Sequence, residues 1–302
     1  MRRIGNMKIG CVVVTYNKVE LLKECISAIL NQTLRVDKLF IVDNCSNDNT
    51  SNYVKNLIER HNNIYYYRLE KNIGGAGGFN YGLKKAYCSD VDYIWMMDND
   101  TIPKNDALEK LCNYINKLKW GFLCSNVRWI DDKPCLMNIP SISIVWNEYV
   151  KEGLIKVEST SFVSLFINKK IIEEVGYPIK DFFIWGDDVE FTSRITTRSA
   201  GYMVIDSEVV HKMTLNQSTD LIKEDKSRLG RYFYAGRNTG YIVRKKGIIA
   251  FVKNIFRTII MLYKIVGTRN QNKISKIGVV LKGFVFGLFF NPKIEQVSKK
   301  KY

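Results

Sequence analysis

The sequence predicts an α/β fold: a mostly parallel central sheet, helices on both faces, and a basic helical region at the C-terminal end. Three observations predict it. Short apolar, β-branched runs alternate with helical patterns from residue 8 onward, polar and acidic residues stand at the ends of those runs, and the excess positive charge is confined to the last part of the chain. With 302 residues, 46% hydrophobic and 25% charged, the composition is that of a globular protein with ample material for a core.

Ile9 to Thr15 is a buried-strand run, and from Asn17 the apolar residues Leu21, Leu22, Cys25, Ile26, Ile29 and Leu30 recur at helical spacing. Leu39 to Val42 is a second strand ending at Asp43, and the polar cluster Asn44 to Thr50 caps a helix over 51–59. Ile64 to Tyr67 is a third strand, and Gly74 to Gly78 opens a helix through Tyr87. Tyr93 to Met97 is a fourth strand, running into Asp98-Asn99-Asp100. Strand–helix alternation implies right-handed crossovers and parallel pairing. Ligands of such sheets bind at the carboxyl ends of the strands, where Asn17, Asp43 and Asp98 to Asp100 fall. The stretch 120–180 is less regular: Asp131 to Pro134 predicts a hairpin or an excursion over the site, and Ser161 to Ile167 another strand. Phe182 to Asp188 leads into a helix, and Tyr202 to Val210 is a last strand ending at His211.

The charge is segregated. Of 46 Lys+Arg and 30 Asp+Glu, residues 223–302 hold 19 and 3, which leaves 27 and 27 for residues 1–222. The net +16 therefore belongs to the tail, and a division into 1–227 and 228–302 is expected. The apolar stretches 247–266 and 277–290 are interrupted by Lys253, Arg257, Lys264 and Lys282, too charged for a spanning helix. Basic amphipathic helices lying on an anionic membrane surface fit this pattern, and the charge segregation favours them over a helical subdomain packed on the core. No apolar signal core precedes Gly10. The seven cysteines are odd in number and include no C-x-x-C pair, which fits reduced thiols and a cytoplasmic protein.

Asp98 and Asp100 place two carboxylates one residue apart at a strand end. Such triplets are common in loops, but an apolar run seldom drives into paired acids without a cation to meet them. Hard oxygens of this kind suit Mg²⁺ or Mn²⁺, which neutralise a departing pyrophosphate. His211, one of two histidines, is either a structural imidazole or the third ligand of a carboxylate-rich site. Asp187-Asp188 follow an aromatic stretch and Gly186. They read as general-base candidates or as acids complementing a helix N-terminus, and both roles are compatible. Gly74-Gly75-Ala76-Gly77-Gly78 is neither a P-loop nor G-x-G-x-x-G; it reads as a nucleotide-sugar contact or a plain tight turn.

In order, Val12 to Asn17, Ile41 to Thr50, Asn72 to Gly78, Trp95 to Asp100, and Phe182 to Glu190 with His211 resemble a family-2 glycosyltransferase of the GT-A, Rossmann-like fold over roughly residues 8–240. Gly-Gly-Ala-Gly-Gly-Phe and Phe-Phe-Ile-Trp-Gly-Asp-Asp resemble the galactofuranosyltransferase-like branch, which also contains rhamnosyltransferases. The resemblance implies an inverting transfer. Thr15, Asn17 and Asp43, with Gly75 and Asp98, would bind the donor, Asp43 on the uracil or thymine ring. Asp98, Asp100 and His211 would hold Mn²⁺ or Mg²⁺. Asp188 would deprotonate the acceptor hydroxyl with Asp187 assisting, and Trp185 would line the acceptor pocket. Asn99 stands where the branch often has an acid, and no metal is assigned to it. Arg231, Tyr234, Arg237 and Asn238 resemble a segment following the catalytic domain, for which contact with the donor phosphates is one reading. UDP-galactofuranose is favoured over dTDP-rhamnose as donor. A lipid-linked saccharide is the expected acceptor, on the inner face of the cell membrane.

Two other readings compete. A nucleotidyltransferase shares a metal-binding acid pair on an α/β core, but would release pyrophosphate. Nucleic-acid binding is suggested by the pI of 9.4, but acids at the strand ends repel phosphate and the basic region is heavily apolar, so no nucleic-acid partner is expected.

Overall fold

The computed structural model describes residues 7–297. By contacts the chain forms two compact units. The first holds the residues up to Lys180, Asp188–Gln217 and the chain from Ile294; the second holds Asp181–Asp187 and Ser218–Lys293.

The first unit follows the alternation in the sequence: β1 (Ile9–Thr15), α1 (Val19–Leu30), β2 (Lys38–Asp43), α2 (Thr50–Ile58), β3 (Ile64–Arg68), α3 (Gly74–Tyr87) and β4 (Tyr93–Asp98). There follow β5 (Thr101–Pro103), α4 (Ala107–Cys112), β6 (Phe122–Arg128), β7 (Ser141–Ile142), β8 (Leu154–Ser159), β9 (Leu165–Asn168), α5 (Ile171–Val175), α6 (Asp187–Thr196) and β10 (Gly201–His211). The sheet order is β3-β2-β1-β4-β9-β6-β10-β8-β7, with β5 on β10. From β3 to β4 every pairing is parallel. Beyond β4 only β6–β10 is parallel, so the sheet is mixed and its parallel character belongs to the N-terminal half. The reason lies in the connections. Between β6 and β9 the chain passes from strand to strand without an intervening α-helix, whereas α4 precedes β6 and α5 and α6 precede β10, which pairs parallel with β6.

Every residue of β1 is buried, and the alternating side chains divide between two cores. Ile9, Cys11 and Val13 pack with Leu22, Ile26, Val54 and Leu108 of α1, α2 and α4. Val12 and Val14 pack with Phe79, Leu83, Ile172 and Phe191 of α3, α5 and α6 on the opposite face. Helices thus cover both faces. The glycines of α3 set how closely it lies on the sheet: a Cβ on Gly78 would stand 2.6 Å from Val14 Cγ1, and one on Gly82 2.5 Å from Val12 Cγ1. The segment expected as a strand over Ser161 to Ile167 begins with a 3-10 turn, Phe162–Ser164, in which the Ser164 hydroxyl receives the indole N–H of buried Trp95 at 2.9 Å. Only then does β9 start. The expected turn at Asp131 to Pro134 is present, closed by a bridge between Arg128 and Pro134.

The second unit is helical: α7 (Gly230–Lys246), α8 (Ile248–Gly267) and α9 (Lys273–Phe289). Gly236 and Gly240 of α7 meet Gly283 and Gly287 of α9 so closely that a Cβ on Gly240 would lie 2.7 Å from the Gly287 Cα. Two small-x-x-x-small pairs therefore bring the backbones into direct contact. No helix of the described residues is long and apolar enough to cross a membrane. All seven cysteines are free thiols.

Candidate active site

The strand order reverses direction at β1: the chain runs outward through β2 and β3, then returns to β4 on the other side of β1. This is the switch point at which open α/β sheets bind ligands. Register places Thr15 beside Asp43 and Val14 beside Asp98, so three of the expected donor residues stand at adjacent strand ends.

Each is held by its neighbours. Thr15 is buried and its hydroxyl accepts a bond from Asn99 Nδ2 at 2.9 Å, which gives the residue between the two acids a positioning role. Asn17 has φ 51°, in the left-handed region that asparagine tolerates. Its N–H donates to Ser46 Oγ at 3.0 Å and its Oδ1 accepts from the Asn47 N–H at 2.8 Å, tying the β1–α1 turn to the β2–α2 turn. Asp48 couples the same turns, accepting from the Val19 N–H at the start of α1 and from the Thr50 N–H at the start of α2. Asp43 is fully buried; it accepts from the Ser46 N–H at 2.8 Å and from the Tyr66 hydroxyl at 2.6 Å. Burial and this carboxylate push the Tyr66 hydroxyl up to about 12, so it remains a donor. In the glycine run Gly74 takes φ 76°, whereas a Cβ on Gly75 would meet nothing within 4 Å. Gly75 thus borders open space, whereas a Cβ on Gly77 or Gly78 would meet Ile73 or Val14 below 3 Å.

The acids and the histidine converge through the sheet. β5 reverses the chain after Asp100 and pairs antiparallel with β10, setting Thr101 opposite His211. One ligand atom from each of Asp98, Asp100 and His211 lies within 4.8 Å of the others. His211 Nε2 is 3.1 Å from Asp100 Oδ1, and the Lys18 ammonium sits 2.7 Å from Asp100 Oδ2. Desolvation, then Asp100, and also Asp188 push Asp98 up to about 7 against the pull of His211 and Lys18. Burial alone would raise Asp100, but His211 and Lys18 outweigh it and hold that carboxyl low. Asp100 and Asp98 raise His211 despite its burial. Two carboxylates in a desolvated corner thus already draw a lysine and an imidazole toward them. The donor set of two hard oxygens and one imidazole nitrogen fits a divalent cation.

Asp188 acts on Asp98 electrostatically and stands in the first turn of α6. Its Oδ1 accepts from the Val189 N–H at 2.7 Å, while Thr192 Oγ1 donates to its carbonyl at 2.7 Å. Further along α6, Glu190 pairs with Arg194 in a two-pronged contact, which gives that acid a structural partner.

Asp187 and Trp185 belong to the second unit. Phe183 and Trp185 both have φ 65° and Gly186 has φ 90°, a strained run of backbone. Asn238 of α7, almost fully buried, holds it by donating Nδ2 to the carbonyls of Phe182, Ile184 and Trp185 at 3.0, 3.1 and 2.8 Å. Arg237 donates to the carbonyls of Asp181 and Phe182 and lies 3.8 Å from the centre of the Phe290 ring. These two residues, for which the resemblance offered contact with the donor phosphates as one reading, have their side chains on the carbonyls of this loop and clamp it. Lys18 and Asn138, the last 2.7 Å from His211 Nδ1, carried no signal in the sequence, and Asn99, singled out there, gave no sign of its bond to Thr15.

The glycosyl transferase family 2 domain matches residues 11–173. The galactofuranosyltransferase GlfT1 of Mycolicibacterium smegmatis is 24% identical over 257 residues, covering 78% of this chain and 83% of that protein. The poly(ribitol-phosphate) β-N-acetylglucosaminyltransferase TarP of Staphylococcus aureus is 27% identical over 236 residues, covering 75% and 69%. Among crystal structures, GalNAc-T7 with UDP, GalNAc and Mn²⁺ superposes with a TM-score of 0.61 at 15% identity, over 78% of this chain and about half, 52%, of that one. S. aureus TarS 1-349 superposes with a TM-score of 0.54 at 14% identity, over 93% and 72%. The α/β architecture is GT-A, and with more than half of its length inside the matched domain the chain belongs to glycosyl transferase family 2 and is a glycosyltransferase.

Proposed function

We propose that this glycosyltransferase moves galactofuranose from UDP-galactofuranose onto a saccharide acceptor, with inversion at the anomeric carbon and with the aid of Mn²⁺ or Mg²⁺. The observation that carries the reading is the convergence of Asp98, Asp100 and His211 within 4.8 Å, together with the electrostatic reach of Asp188 to Asp98.

Asp98, Asp100 and His211 would hold the cation, which when bound offsets the charge of the departing diphosphate. The rest belongs to the chain. Thr15, Asn17 and Asp43 would bind the nucleoside from the strand ends, with Asp43 on the uracil ring. Gly75 leaves room for the donor. Asp188 receives the proton of the acceptor hydroxyl as that oxygen bonds to the anomeric carbon and the bond to the phosphate oxygen breaks; Asp187 orients it and Trp185 meets the acceptor. One base is sufficient for single displacement, as the inverting glycosidases illustrate by analogy. The GlfT1 relative supports the galactofuranosyl donor. Relatives named for N-acetylglucosamine transfer make the sugar the first thing to test. For the uridine nucleotide there is support from TarS 1-349 in complex with UDP, which shares the fold.

The second unit is assigned to an anionic membrane surface on the cytoplasmic side, where a lipid-linked acceptor would be found. Ile248, Ile249, Phe256, Ile259, Ile260 and Tyr263 of α8 are exposed on a helix that also carries Lys253, Arg257 and Lys264.

The test is a donor screen with Mn²⁺ or Mg²⁺, scored by free UDP and by the labelled product. Transfer from UDP-galactofuranose, lost in excess chelator, is expected. Turnover undiminished by chelator would remove the cation, and transfer only from another donor would replace the sugar.

A further inference from the structure

We propose that Asn138 is a positioning residue for the candidate cation site: it fixes the ring orientation and tautomer of His211 so that Nε2 is the atom offered to the cation. The inference rests on reading Asp98, Asp100 and His211 as cation ligands.

Asn138 lies between β6 and β7, 73 positions from His211 in the sequence. Its Oδ1 is 2.7 Å from His211 Nδ1, while on the far side of the ring Nε2 faces Asp100. The imidazole is therefore gripped along its length. A nitrogen that ligates a cation must present a lone pair, so in the loaded site the ring proton resides on Nδ1 and needs an acceptor. Asn138 Oδ1 is that acceptor.

The amide is itself held in the orientation this requires. Nδ2 donates to Ser161 Oγ at 3.0 Å, and the Cys135 thiol donates to Oδ1 at 3.2 Å. Turning the amide over would set its NH₂ group against both the thiol and the Nδ1 proton. Asn138, Cys135 and His211 are all buried, so no bulk water stands ready to replace a lost acceptor. Hydrogen-bond partners of a ligating imidazole typically change metal affinity by about 10–100-fold when removed. The excursion between β6 and β7 thus supplies a support for the cation site and is more than a surface cover.

The test uses the full chain labelled with ¹⁵N-histidine. His61 and His211 are the only histidines, and a His61→Asn control assigns the two ring spectra. With Mg²⁺ and UDP present, wild type is expected to show His211 protonated at Nδ1 and unprotonated at Nε2. In Asn138→Leu that tautomer should no longer dominate, and Mn²⁺ affinity, followed by the electron paramagnetic resonance of the free ion, should fall about 10–100-fold. Asn138→Asp keeps an acceptor oxygen and should return the affinity to within a few-fold of wild type. If Asn138→Leu does not fold, Ser161→Ala frees the amide to turn and is expected to weaken Mn²⁺ a few-fold. A lowered Tm with unchanged tautomer and unchanged Mn²⁺ affinity would mean that Asn138 only supports the loop, and would overturn the inference. Absence of Mn²⁺ binding by wild type would instead remove the cation reading itself, and the inference with it.

Discussion

The two units solve the same problem, the disposal of apolar surface, in opposite ways. In the first, the side chains of β1, β2 and β4 lie between two layers of helices, and residues such as Val12, Val13, Ile41, Trp95 and Met96 have no exposure at all. In the second, the enclosed apolar groups are small: Leu221, Leu229 and Ile265 in one cluster, and buried Phe182 and Tyr241 packed edge-to-face in another place. Ile274, Phe289 and Tyr263 are 88%, 80% and 78% exposed. Glycine-to-glycine backbone contact joins α7 to α9, and many of the apolar side chains of α8 and α9 are exposed. The contrast teaches that the first unit encloses its strand ends among buried side chains, whereas the second leaves apolar residues exposed on a helix that also carries Lys253, Arg257 and Lys264.

The comparison can be broken at several points, and the largest effect is expected in the first unit. Asp188→Asn should lower kcat by about 10²–10⁴-fold, the range of a lost general base, while donor affinity measured with UDP stays within a few-fold of wild type. Near-normal turnover would return Asp188 to a merely structural place at the start of α6.

In the second unit the sharpest lesion is at the glycine contact. Gly240→Leu forces a side chain into the Gly287 backbone. It should cost about 1–3 kcal/mol or more, because backbone cannot be repacked as a side chain can. Loss of α-helical circular dichroism at lower temperature, with UDP binding retained below that transition, would show that the damage stays in the second unit.

A smaller effect is expected on the exposed face of α8. The double variant Phe256→Glu, Ile260→Glu should weaken binding to anionic vesicles by about tenfold or more, since each apolar group withdrawn from the interface is worth about 1.5–3 kcal/mol when fully buried. Turnover of a short, water-soluble acceptor should not change. Equal vesicle binding by the variant would leave this face without a membrane role.

The smallest expected effect is at Glu295, where the chain returns to the first unit. Its carboxylate accepts from Asn80, Lys84 and Lys180 at 2.9, 2.8 and 3.1 Å. Burial works against the charge, but Lys84, Lys180 and Asn80 outweigh it and lower the group from 4.5 to about 2. A depressed carboxylate adds stability that is fully present above pH 4.5 and disappears as pH falls through about 2. Because the group is partly solvated, Glu295→Gln should cost only about 0.5 kcal/mol at neutral pH. Thermal melts of variant and wild type should converge as pH is lowered toward 2, and a gap that stays constant would remove the ionic explanation.

Much of the frame was legible beforehand, because it rests on local patterns. Continuous apolar runs marked β1, β2 and β4, helical spacing marked α1, and the glycines at 74–78 marked the entry to α3, with bounds close to those observed. What the glycines do was not legible. Gly78 and Gly82 serve the packing of α3 on β1, and no spacing rule distinguishes them from Gly75. The direction of the sheet beyond β4 was also out of reach, since β9 enters antiparallel after a turn whose Ser164 is held by Trp95 and Ser125, both distant in the chain.

The sequence by itself determined the order of strands and helices, the acids at the strand ends and the placing of positive charge in the tail, because each depends on residues near one another in the chain. Only the tertiary structure decided which distant groups meet. The pairing of β5 with β10 brings His211 to Asp100, the fold of the excursion brings Asn138 to His211, and α7 brings Asn238 to the loop bearing Trp185. Such meetings depend on closing loops of tens of residues, whose favourable terms come from the burial of whole elements and leave no mark on the few side chains that end up in contact.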